Sequence, residues 1–128
     1  MANYPARSSG DQTINYLRAP IDFNLGTAGV AQVGTLPAGC AVLRAYTVIT
    51  TVFNNATTNV LKIGTVASPA AIVSTVATGT LGVTLGTVTA GVGFLPTVDT
   101  PIIATSFSTG VPSTTGSGVV IVEYCPVA

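Results

Sequence analysis

Runs of β-branched residues, each cut short by a turn former, constrain this fold more than any other feature of the sequence. Thr occurs 21 times, Val 18 times and Gly 14 times among 128 residues, and β-branched side chains suit a pleated strand better than a helix. Leu36-Pro37-Ala38-Gly39 is a turn signal and launches the strongest predicted strand, residues 40–53. Alternation along it sends Leu43, Ala45, Thr47, Ile49, Thr51 and Phe53 to one face, and Val42, Arg44, Tyr46, Val48, Thr50 and Val52 to the other. The polar stretch Asn54-Asn55-Ala56-Thr57-Thr58-Asn59 turns the chain, and residues 60–66 return with Leu61, Ile63 and Thr65 on one face, so the two runs predict a hairpin. Ser68-Pro69 can cap one or two helical turns through Ala70 to Val73, and a short strand fits the same residues.

Further short runs follow at Leu81 to Leu85, Val88-Thr89, Ile102 to Phe107 and Val119 to Tyr124. They are separated by the Gly-rich bend Ala90-Gly91-Val92-Gly93, by Asp99-Thr100-Pro101 and by the polar loop 108–118. No long amphipathic helical period interrupts them. The expectation is an all-β, single-domain β-sandwich with jelly-roll topology as its leading form and at most one short helical turn. Pattern by itself does not separate a barrel from a sandwich. The recurrence of Gly64-Thr65-Val66 as Gly86-Thr87-Val88 reflects composition and not a repeat architecture.

Residues 1–18 read differently from 19–128, the β-sandwich domain. They hold Arg7 and Arg18, two of the four basic residues, among Pro5, Ser8, Ser9, Gly10, Asp11, Gln12 and Asn15. This is an extended N-terminal arm, either a disordered tail or a segment that orders on a neighbouring subunit. In the second case Tyr4, Arg7, Tyr16, Leu17 and Arg18 are the candidate partner contacts, with Tyr4, Tyr16 and Leu17 as anchors.

Only 6% of residues are charged, against about 25% in an ordinary domain, and the formal net charge is zero. A near-neutral chain has little to keep it from its neighbours. Its surface is either coated by hydrated Thr, Ser and Asn or largely buried against other subunits. Neutrality also removes any general reason to bind nucleic acid or an anionic membrane. Mean hydropathy is +0.66 and no charge lies between Lys62 and Asp99. Pro69, Gly79, Gly82, Gly86, Gly91, Gly93 and Pro96 nevertheless break that stretch well short of the roughly 18 consecutive apolar residues of a spanning helix. The N-terminus shows no apolar core of a signal peptide, so the expected site of synthesis and folding is a cytoplasm.

Catalysis has few side chains to use. The sequence holds no His, so its Ser and Thr have no imidazole base, and a Ser–Lys pair would need Lys62, the sole lysine, which the alternation places facing solvent. Asp11, Asp22, Asp99 and Glu123 are isolated from one another along the chain. Asp99 reads as a turn former and Glu123 as an outward residue of the last strand. Cys40 and Cys125 are the only thiols, leaving a buried reduced pair or one disulfide, and no metal motif. Asn55-Ala56-Thr57 matches a glycosylation sequon, for which turn chemistry is a sufficient explanation. Gly91-x-Gly93 and Gly116-Ser-Gly118 lack the helix and lysine of a phosphate cradle. No enzyme activity, cofactor or metal is expected.

One ordered set of segments carries a resemblance: Leu36-Pro-Ala-Gly39, Val42-Leu-Arg-Ala-Tyr-Thr-Val-Ile-Thr-Thr-Val-Phe-Asn-Asn55, Leu61-Lys-Ile-Gly-Thr65, Pro101-Ile-Ile-Ala104 and Thr115-Gly-Ser-Gly-Val-Val-Ile-Val-Glu-Tyr124. The series, over residues 30–126, resembles small structural proteins encoded in the head modules of tailed bacteriophages. The resemblance implies a capsid decoration, or cement, protein with a β-sandwich or jelly-roll core. Such a protein sits on the capsid exterior of a virion assembled in the host cytoplasm, with the major capsid protein and further copies of itself, as homodimer or homotrimer, for partners. Related folds serve in phage tails and head fibres, which is the alternative within the same class. A carbohydrate-binding or adhesin module is the alternative outside it, and the absence of Trp counts against that reading.

Overall fold

The computed structural model describes residues 14–88 and 96–126. Their β-branched runs form eight strands: β1 (Asn15–Asp22), β2 (Val30–Leu36), β3 (Cys40–Thr51), β4 (Val60–Gly64), β5 (Val73–Ala77), β6 (Gly82–Leu85), β7 (Thr100–Ser106) and β8 (Ser117–Pro126). These pair antiparallel into two four-stranded sheets, ordered β1-β8-β3-β6 and β2-β7-β4-β5. Eight strands wound back and forth between two sheets in this order make a jelly roll, so the fold is the expected all-β sandwich.

Four local expectations are corrected. Residues 40–51 and 60–64 do not form a hairpin: β3 lies between β8 and β6, while β4 lies between β7 and β5 in the opposite sheet. Each strand carries an apolar row, Ala45 and Ile49 on one and Leu61 and Ile63 on the other. Placing the two in opposite sheets lets both rows face a shared core.

The simple alternation of β3 also fails, at Leu43 and again at Thr50, where the register passes from Ile49↔Gly118 to Thr51↔Ser117. The register with β8 runs Val42↔Tyr124 and then Arg44↔Glu123, so Leu43 is an extra, bulged residue. Before the bulge Cys40 and Val42 point inward; after it Ala45, Thr47 and Ile49 do, and Leu43 is exposed. The arm and domain division also meets the strands: residues 15–18 pair with β8 from Asn15↔Tyr124 to Arg18↔Ile121. Residues 1–13, with Tyr4, Arg7 and Asp11, lie outside the described residues.

Residues 68–73, read as a helical turn or a short strand, form neither over 68–72. Ala71 N–H donates to Ser68 C=O at 3.0 Å to close a turn, and β5 begins at Val73. Among the described residues the one helical turn is instead the 3-10 segment Phe23–Leu25, capped by Asp22, whose carboxylate accepts from Asn24 N–H at 2.9 Å.

Leu36, Leu61, Ile63, Ile72, Ile102, Val73, Val120 and Val122 are fully buried between the sheets. Each large apolar side chain removed from water this way contributes roughly 1.5–3 kcal/mol. Thr47 is equally buried, and its hydroxyl donates to Ala77 C=O at 3.1 Å, tying β3 to the end of β5 across the core. At one end of the sandwich Asp99 accepts from Ala38 N–H at 3.0 Å, so it pins the 37–39 turn. At the other end Ser113 Oγ donates to Asn55 Oδ1, and Asn54 N–H donates to Ser113 Oγ at 3.0 Å.

Candidate functional site

Asp22, Asp99 and Lys62 each have a structural partner. Asp22 caps the 3-10 turn and Asp99 holds the 37–39 turn. The Lys62 ammonium lies 3.8 Å from the centroid of the Phe107 ring, a cation–π contact on the outside of the second sheet. Among the described residues no three His, Cys, Asp or Glu side chains gather where a metal could bind. Both cysteines are free. Cys40 faces the core, whereas Cys125 lies opposite Ala41, the next residue along β3, and therefore on the other face of the sheet. Their side chains diverge, and a bridge would require a slip in register. The Asn55 of the sequon is buried, so its amide is withheld from a glycosylating enzyme.

What the fold does assemble is a surface, the outer face of the sheet β1-β8-β3-β6. Register places side chains on this face in rows. Tyr16, Glu123 and Arg44 form the first, Arg18, Ile121, Tyr46 and Leu85 the second, and Pro20, Val119, Val48 and Val83 the third. The second and third rows make a continuous apolar band from β8 across β3 to β6, with Arg18 at its rim. Val83 and Leu85 are each 64% exposed and Tyr16 61%. A contiguous apolar patch with an aromatic and arginine rim has the character of a protein-binding surface.

The polar end of this face is rigidly held. Arg44 donates through Nε and Nη2 to Glu123 Oε1 at 3.0 and 2.7 Å, and the Tyr46 hydroxyl donates to Glu123 Oε2 at 2.7 Å. The Tyr46 hydroxyl, with Arg44, holds the Glu123 carboxyl below the ordinary glutamate range. The same hydrogen bond to Glu123 raises the Tyr46 phenol. Both shifts keep Glu123 ionised and Tyr46 protonated at neutral pH, which suits a fixed charge-paired clasp and not proton transfer.

Of the arm residues singled out from the sequence, Tyr16 and Arg18 face outward on β1 and join this surface. Leu17 points the other way, into the sandwich, where it packs against the core and close to Gly34. The sequence reading missed the clasp, because Arg44 and Glu123 are 79 residues apart. It also missed the exposed row on β6, whose apolar residues look like core residues when read along the chain. Their alternation with Gly82 and Thr84 is the signal that could have marked them as outward.

No family model and no curated protein matches the chain. Solved structures similar to it include two from phage capsids. A chain in the acidic stable capsid structure of Helicobacter pylori bacteriophage KHP30 superposes with a TM-score of 0.64 at 16% identity, over 89% of this chain and 88% of that one. A chain in the capsid asymmetric unit of cyanophage Pam1 superposes with a TM-score of 0.66 at 22% identity, over 99% of this chain and 94% of that one. At these identities the likeness shows the fold: this sandwich, over nearly its whole length, is one found in phage capsid structures.

Proposed function

We infer that this chain is a non-enzymatic structural protein of a phage virion, a cement protein that binds the outer capsid surface and clamps neighbouring major capsid subunits around the packaged DNA. The observation that carries the reading is the apolar outer face of β1-β8-β3-β6, on a chain whose fold is shared over most of its length with chains of two phage capsid structures. Support also comes from the chemistry. Asp22, Asp99 and Glu123 all hold structural partners, and the chain has no histidine. The mechanism is mechanical and multivalent. Each copy bridges subunits through a modest contact, and many copies on one shell lock it by effective concentration. On this reading Tyr16 and Arg18 extend the contact face, Leu17 anchors their strand, and Tyr4 and Arg7 are further contacts with the partner.

The test is co-sedimentation of the purified chain with mature phage heads that lack it, counting bound copies per particle. A saturable number equal to a multiple of the icosahedral symmetry sites is the expected result. A few copies per particle would place the protein in a tail or fibre instead, and binding to none would remove it from the virion.

A further inference from the structure

An open sandwich has four sheet edges, and three of them carry a device against pairing with another chain. β1 contains Pro20 and presents the charged Arg18 and Asp22. β2 is interrupted at Val33, where its register with β7 jumps from Gln32↔Ile103 to Gly34↔Ile102, and Gly34 has a φ of 149°. β5 is bulged at Ser74 and Thr75, which together oppose Lys62 between Leu61↔Val76 and Ile63↔Val73. β6 is protected only by its length of four residues and by Gly82 at its start, with a φ of 90°. It pairs with β3 without a shift, from Tyr46↔Leu85 to Ile49↔Gly82, and holds no proline and no charge. No other described strand lies on its far side.

The pleat fixes what this edge offers. Gly86 N–H donates to Ala45 C=O at 2.8 Å, so the hydrogen-bonded pairs with β3 are Thr47↔Thr84 and Ile49↔Gly82, in alternation with the others. The N–H and C=O groups of Val83 and Leu85 therefore point away from β3, toward the open edge. These are also the two residues whose side chains extend the apolar outer face.

We propose that β6 pairs antiparallel with β6 of a second copy of this chain across a two-fold axis, with Thr84 opposite Thr84 of the other copy. In this register Val83 of each copy exchanges both backbone hydrogen bonds with Leu85 of the other, which joins two four-stranded sheets into one of eight. A second copy fits for two reasons. An edge whose donors and acceptors sit at positions symmetric about Thr84 is self-complementary. The whole stretch from Lys62 to Asp99 is uncharged, so two copies meet without like charges. The outer apolar band then runs unbroken through both copies, doubling the surface assigned above to capsid contact. The pairing deepens that reading, but it rests on the sheet edge and needs no capsid.

The test uses the whole chain without capsids. Sedimentation over a concentration series is expected to show a monomer–dimer equilibrium. Val83→Lys/Leu85→Lys, which brings four ammonium groups together at the axis, is expected to weaken it at least about tenfold, with the circular dichroism spectrum unchanged. In a Cys125→Ser background, Thr84→Cys is expected to oxidise to a covalent dimer because directly opposed non-hydrogen-bonded residues stand close enough for a disulfide. Thr87→Cys, which lies beyond the strand, is expected to stay unlinked. A parent chain that remains monomeric, a lysine variant that dimerises as before, or equal cross-linking at 84 and 87 overturns the proposal. Head binding measured on the parent chain keeps the two readings apart: a parent that stays monomeric yet still cements heads defeats the pairing alone.

Discussion

Gly116 shows how much a single residue can carry. Its φ is 145°, and a Cβ built on it would lie 2.6 Å from the Phe53 ring. The loop before β8 closes over that ring only because nothing projects from residue 116. Gly116→Ala should therefore lose more than about 1 kcal/mol of stability, from backbone strain together with displaced packing, measured by chemical denaturation. Glu123 yields a prediction in pH. Its carboxyl is held below the ordinary range by Tyr46 and Arg44, so its contribution is present above the ordinary glutamate pKa and fades as pH falls through the depressed value. The Tyr46 phenol, raised by the same bond, sustains the contribution at its alkaline end until pH rises through the raised value. With no histidine in the chain, the interval between is expected to be nearly flat. Thermal melts of Glu123→Gln across pH should show a shallower acid limb than the parent, and an unchanged limb would mean that the clasp adds nothing to folding.

The bulge in β3 belongs to the scale of the element. Cys40 and Val42 point inward before Leu43, and Ala45, Thr47 and Ile49 point inward after it. Removing Leu43 leaves Val42, Arg44 and Ala45 in plain alternation, inward, outward, inward. Deletion of Leu43 should give a folded chain with a cooperative melt. Deletion of Val48, in the regular part of the strand, should abolish that melt, because one segment of β3 must then turn its core residues to solvent. Strand existence was legible in the sequence from β-branched runs and their turn signals, and so was the direction of Glu123. The bulge was not, because it is set by the register of β8 against β3, and that partner lies more than seventy residues away. The hairpin expected between residues 40–53 and 60–66 failed for a related reason. Proximity along the chain favours pairing, but two apolar rows gain more by facing each other across a core than by lying side by side in one sheet.

For the whole molecule, the consequence is a face and an edge. Val119→Lys puts a charge into the middle of the apolar band, beside Pro20 and Val48. It should leave the circular dichroism spectrum intact while weakening co-sedimentation with phage heads at least about tenfold; full binding by a folded variant would move the contact surface elsewhere. The sequence by itself determined that this chain is a β protein with little chemistry to offer. β-branched composition, turn residues and the lack of histidine act locally, and each can be read where it stands. It did not determine which apolar residues would be left outside. Leu85 and Ile121 look as suited to a core as Leu61 and Ile63, and only the pairing of strands distant in sequence sends the first two to the surface and the second two between the sheets. The same pairing gathers Arg44, Tyr46 and Glu123 into a clasp and leaves β6 with an open edge. Inside and outside in a sandwich are properties of register and strand order, and the tertiary structure alone decides them.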